Sequence, residues 1–92
     1  MDLHIKDVIQ KFINEQEIGD VYYAQKIRMY IKEEMSSSIS SRITQIEYAE
    51  GWLTLHVNSA TLRHDLYLNK ATIIEKINNH LERSVVRLLK LL

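Results

Sequence analysis

Apolar residues recur with helical spacing at the start of the chain. Ile5, Val8, Ile9, Phe12 and Ile13 fall at i, i+3, i+4, i+7 and i+8, one stripe of an amphipathic helix. Asp2 is placed to cap it, and Gly19-Asp20 reads as a stop followed by a new cap. Tyr23, Ile27, Tyr30 and Ile31 then predict a second helix running to about Met35. The serines at 36–38 and 40–41 weaken helical propensity around Ile39, which predicts a loop or a short helical turn. The period then changes to two. Thr44, Ile46 and Tyr48 alternate with Gln45 and Glu47, and Leu53, Leu55 and Val57 alternate with Trp52, Thr54, His56 and Asn58. With Glu50-Gly51 between the runs, this predicts a β-hairpin. Ser59 is a good N-cap for one long amphipathic helix carrying Leu62, Leu66, Ile73, Ile74, Ile77 and Leu81. The tail from Ser84 to Leu92 fits a helix by the spacing of Val85, Leu88, Leu89 and Leu92. Its short length and its Val85-Val86 pair equally fit a closing strand.

Length and charge narrow the function classes. Ninety-two residues, 46% of them hydrophobic, suit one globular domain over residues 1–92 with a modest core. Twelve Lys and Arg balance twelve Asp and Glu, and neither half of the chain is a basic arm. Any affinity for nucleic acid must then come from local arrangement and be salt-sensitive. The absence of cysteine removes disulfides, thiol catalysis and cysteine-held metal. The opening Met1-Asp2-Leu3-His4-Ile5-Lys6 has no basic n-region before a long apolar stretch, and no run approaches a membrane span. The expectation is a cytoplasmic protein with no membrane contact.

The residues suggest no enzyme, no catalytic group, no cofactor and no metal. His64-Asp65 is a sequence-adjacent pair on a helix, so its side chains diverge by about 100° and make a poor dyad. His4, His56, His64 and His80 lack local ligand spacing, and Gly19 and Gly51 each stand alone, outside any phosphate loop. Three features remain. Trp52, with His56, would face away from the helices and could stack nucleobases, or instead form a dimer contact or fold over the sheet edge. Arg63 and Lys70 lie at i and i+7 with Tyr67 between them, a positive stripe able to follow phosphates or simply a solvated face. In Leu88-Leu89-Lys90-Leu91-Leu92 a strand would hide only alternate residues, leaving the others to fray or to meet a partner.

The ordered set Thr44, Leu53, Leu55, Val57, Ser59, Leu62, Arg63, Leu66 and Asn78, with Asp65 keeping an acid, resembles the DciA-like family of bacterial proteins. That family was long catalogued as a domain of unknown function. Its pattern is a threonine before the first strand, alternating aliphatics on the second, S-x-x-L-R-x-E-L opening the long helix, an asparagine near that helix's end and a valine-rich closing strand. The resemblance implies a K-homology-like (KH-like) α+β fold in the order ααββαβ, its three-stranded sheet covered on one face by helices, with the tail as a strand. It also implies association with a DnaB-type replicative helicase, promotion of helicase loading, and binding of single-stranded or tailed DNA.

The chain departs from the pattern in places. The family's second-helix tryptophan, and the hydrophobic residue and glycine after it, fall at Ile31, Met35 and Ser36, and the glycine after the long helix falls at Glu82. The GxxG loop of true K-homology domains is absent. The expected core is Val8, Ile9, Phe12, Ile27, Ile31, Ile46, Leu53, Leu55, Val57, Leu62, Leu66, Ile73, Ile77 and Leu81. The expected function is a non-enzymatic replication accessory that binds the helicase and, weakly, single-stranded DNA through Arg42, Trp52, Arg63 and Lys70. The alternative is a protein-interaction module, a homodimer through the open sheet or the C-terminal strand, without DNA binding.

Overall fold

The 30-residue helix α1 (Ile5–Glu34) opens the chain and runs without interruption through Gly19 and Asp20. In this computed structural model the backbone of residues 5–92 and the side chains of residues 18–92 are described. The expected break at Gly19 is therefore corrected. A helical glycine costs only about 0.5–1 kcal/mol, and no proline follows to force an end. The Asp2 cap and the core positions Val8, Ile9 and Phe12 lie outside the described side chains. After α1 the serine cluster forms one helical turn, α2 (Ser37–Ser40), in which the carbonyls of Ser37 and Ile39 receive the backbone N–H groups of Ser41 and Arg42.

The hairpin pairs β1 (Ile43–Ala49) antiparallel to β2 (Trp52–Val57), with Ile46 opposite Leu55 and Tyr48 opposite Leu53. The register shifts between Ile43 and Gln45, so Thr44 is the extra residue of a bulge, and its hydroxyl donates to the carbonyl of His56 at 3.2 Å. At the turn Glu50 has φ 50° and Gly51 φ 87°. Positive φ at both central residues matches the right-handed twist of the strands in a two-residue hairpin. Glycine takes this conformation freely, whereas Glu50 is strained in it.

The long helix is two helices, α3 (Ala60–Leu68) and α4 (Lys70–Leu81), joined at Asn69. Ser59 caps α3 by accepting from the backbone N–H of Leu62 at 3.2 Å. Asn69 has φ −109° and ψ 18°, and its side-chain amide donates to the carbonyl of Asp65 at 2.8 Å. This side-chain bond gives the backbone an alternative to continuing the helix. Leu66 and Ile73 are seven residues apart and stay on one face either way, which is why the periodicity does not show the break.

The tail is a strand. β3 (Leu88–Leu91) pairs parallel to β2, placing β2 at the centre of a sheet ordered β1-β2-β3. Val57 N–H to Leu92 O and Leu92 N–H to Leu55 O carry the pairing to the last residue. The fold is thus α+β in the order read from the sequence, with α2 and the α3–α4 split as refinements.

Ile27 and Ile31 of α1, Leu53, Leu55 and Val57 of β2, Leu66, Ile73, Ile77, Val86 and Leu89 form one buried cluster. Ile46, Leu62 and Leu81 pack against it half-buried. Each fully buried aliphatic contributes roughly 1.5–3 kcal/mol relative to exposure. All three strands place alternate residues on this face, so the opposite face of the sheet carries Trp52, Thr54 and His56 flanked by Ala49, Glu47 and Gln45 on one side and Leu88 and Lys90 on the other.

Candidate nucleic-acid interface

The four residues singled out from the sequence do not converge. Arg63 on α3 is half-buried, and one terminal nitrogen donates to the carbonyl of Val57 at 2.7 Å. Its Nε is buried without a partner. The guanidinium therefore ties the first turn of α3 to the end of β2. Arg42 is exposed beside the same strand end, where its carbonyl accepts from the N–H of Asn58 at 2.9 Å. Lys70 opens α4 with its Nζ 4.6 Å from the centre of the exposed Tyr67 ring, a cation–π contact. Trp52 is 51% exposed at the opposite end of β2, five residues and about 17 Å from Val57.

Around Trp52 the open sheet face is apolar. Trp52 pairs with Ala49 and with Leu88, which is 47% exposed, while the equally exposed Leu92 lies on the same face at the Val57 end. The alternation expected of the leucine tail holds: Leu89 is buried and Leu91 half-buried on the core side. Charges sit on the flanking strands, Glu47 on β1 and Lys90 on β3, both level with Thr54. Glu47 lies 3.5 Å from His56 Nε2 and also receives the side-chain amide of Gln45.

Two further arginines lie at the Trp52 end, where sequence reasoning assigned none. A polar cleft of about 460 Å³ opens between the hairpin turn and the loop joining α4 to β3, and Arg83 and Arg87 line it. Arg83 Nη1 donates to the Tyr23 hydroxyl at 2.8 Å. The Arg87 side chain lies across the turn, 3.3 Å from where a Cβ on Gly51 would stand. The loop is held by Asn78. Its side-chain oxygen accepts from the N–H groups of Val85 and Val86 at 3.0 and 2.8 Å, and its amide donates to the Val86 carbonyl at 2.9 Å. The Tyr48 hydroxyl adds a bond to the Val85 carbonyl at 3.0 Å. Burial is the main influence that pushes the Tyr48 hydroxyl above the ordinary tyrosine pKa, so it stays a neutral donor. The sequence signal for this cleft was slight. Asn78 belongs to the family pattern, but only the parallel pairing of β3 with β2 brings Arg87 onto Gly51.

A larger groove of about 620 Å³ between α1 and β1 includes Arg28 and Lys32. One guanidinium nitrogen of Arg28 donates to the Ile46 carbonyl at 3.0 Å. Among the described residues no group of three or more His, Asp or Glu is placed to hold a metal, and no helix is long and apolar enough to cross a membrane.

No curated protein and no solved structure matches the chain. The family model described as Dna[CI] antecedent, DciA, matches residues 4–91. The match runs through the hairpin, the Ser59 cap, Arg63, Asn78 and the closing strand. The chain belongs to the DciA family, a membership that implies a helicase-loader type of role in DNA replication.

Proposed function

We propose that this chain is a non-enzymatic, cytoplasmic accessory of DNA replication, acting as one domain over residues 1–92. It binds a DnaB-type replicative helicase and contacts single-stranded DNA weakly. The family match over residues 4–91 carries this reading. Zero net charge sets the strength of the DNA contact: with no excess of positive charge, it depends on a few local cations and falls steeply with salt. The proposed contact residues are Arg42, Trp52, Arg63 and Lys70. Arg42 and Lys70 supply charge, Trp52 supplies a stacking face, and Arg63 supplies charge from a half-buried position already bonded to Val57.

The deciding experiment weighs the helicase of the same bacterium with and without this protein by mass photometry. Discrete increments of 10.9 kDa on the hexamer, or a change in its assembly, support the loader role. An unchanged hexamer in excess protein removes it. The second reading, a homodimeric interaction module, is favoured by the exposed Trp52, Leu88 and Leu92 on one sheet face. It requires a concentration-dependent mass with no DNA affinity.

A further inference from the structure

We propose that the cleft between the β1–β2 turn and the α4–β3 loop is a phosphate-binding site, with Arg83 and Arg87 as its anion donors. A guanidinium presents five N–H donors in a planar fork that matches phosphate oxygens. Arg83 directs one terminal nitrogen to the Tyr23 hydroxyl, which fixes its plane and leaves further donors for a ligand. Arg87 extends over a turn whose second residue has no Cβ, so the backbone does not crowd its side chain. The Ser84 hydroxyl also lines the cleft. Glu50 also lines the cleft, and the carboxylate of Asp20 acts on Tyr48 at its side. These acids lower the general field, so recognition depends on directed donors rather than on net charge.

The Asn78 clamp makes the site pre-organised. Three hydrogen bonds hold the backbone at Val85 and Val86, between the two arginines. Trp52 follows Gly51 directly and is exposed on the adjoining sheet face, so a chain with one phosphate in the cleft can lay a neighbouring base towards that ring. The source of the phosphate is then a single-stranded nucleic-acid backbone, a step that rests on the DNA contact proposed above.

The test is an NMR titration of the full chain with pyrophosphate at constant ionic strength, repeated with an oligothymidylate. Pyrophosphate is expected to shift the amides of Gly51, Ser84 and Arg87 and to leave those of Arg42 and Lys70 in place. Arg83→Gln and Arg87→Gln each weaken this binding by about tenfold, and Arg87→Lys restores part of it. A dispersed amide spectrum shows that each variant is folded. Absence of the shifts, or equal shifts at every basic residue, overturns the site. If the oligomer moves the same amides and Arg87→Gln lowers its logarithmic salt slope by about 0.7, the backbone phosphate is the ligand. If pyrophosphate binds and the oligomer does not, the anion site stands and the nucleic-acid source is overturned.

Discussion

The two ends of β2 use arginine in opposite ways. At the Val57 end, Arg63 meets a strand-terminal carbonyl, Thr44 bonds across the bulge and Ser59 caps the next helix. Polar groups there satisfy backbone. At the Trp52 end, backbone contacts surround the arginines but do not use them. Gly51 O accepts from the N–H groups of Arg87 and Leu88, and Asn78 holds Val85 and Val86. Among the described residues, both non-glycine residues with positive φ, Glu50 and Glu82, lie at this end with Arg83 and Arg87. The difference is one of geometry. Arg63 has a strand-terminal carbonyl within reach of one nitrogen, whereas at the Trp52 end other donors, the Arg87 and Leu88 N–H groups, the Tyr48 hydroxyl and the Asn78 amide, have already claimed the nearby carbonyls.

The comparison can be broken or sharpened in order of expected effect. Leu55 is fully buried midway between the two ends. Leu55→Asp should cost more than about 4 kcal/mol and abolish the thermal transition, removing both ends together. A wild-type melt would mean that the register of β2 is wrong. Asn78→Leu comes next. It removes three hydrogen bonds to one loop and should cost about 2–4 kcal/mol in urea denaturation. In hydrogen exchange its first effect should be at residues 83–87, with the Val57 end retaining more protection.

The arginines themselves form the third test. Arg63→Met leaves the Val57 carbonyl short of a donor and should cost about 1–2 kcal/mol. Arg83→Gln should stay within about 0.5 kcal/mol of wild type, since its partner hydroxyl is exposed to water. Equal costs would erase the distinction between the ends. Glu82→Gly should act in the other direction. Glu82 ends α4 at φ 56°, a left-handed conformation that favours glycine, and the substitution should stabilise by about 1 kcal/mol. The smallest effect concerns pH. The folded pKa of Tyr48 is raised, chiefly by burial, so its contribution is complete below the ordinary value of 10.0 and is lost as pH rises through the folded value. Tyr48→Phe should flatten the alkaline fall in melting temperature.

Much of this was legible locally, and the reasons are local. The period-two runs around Glu50-Gly51 specify a hairpin because the turn residues and the alternation agree. The aliphatics of β2, with Ile27, Ile31, Leu66, Ile73 and Ile77, are buried as their spacing requires. Two helix boundaries were misread because local signals are weak beside tertiary context. Gly19 has nothing within 4 Å of a hypothetical Cβ, so no packing requirement accompanies its modest propensity cost. At Asn69 the break left the hydrophobic face in phase. Among the site residues, sequence spacing joined Arg63 and Lys70 as one stripe. Arg63 turns to Val57 while Lys70 turns to Tyr67.

By itself the sequence determined the hairpin, the Ser59 cap, the core stripes, the family and the lack of thiol chemistry, because each depends on residues near one another in the chain or on composition alone. Tertiary structure decided three things. It made Leu88–Leu91 a strand, since a four-residue segment takes the conformation that its neighbour's open edge offers. It left Trp52, Leu88 and Leu92 exposed together on one face. It also brought Arg87 against Gly51 and Arg83 against Tyr23, pairs 36 and 60 residues apart that no local pattern encodes.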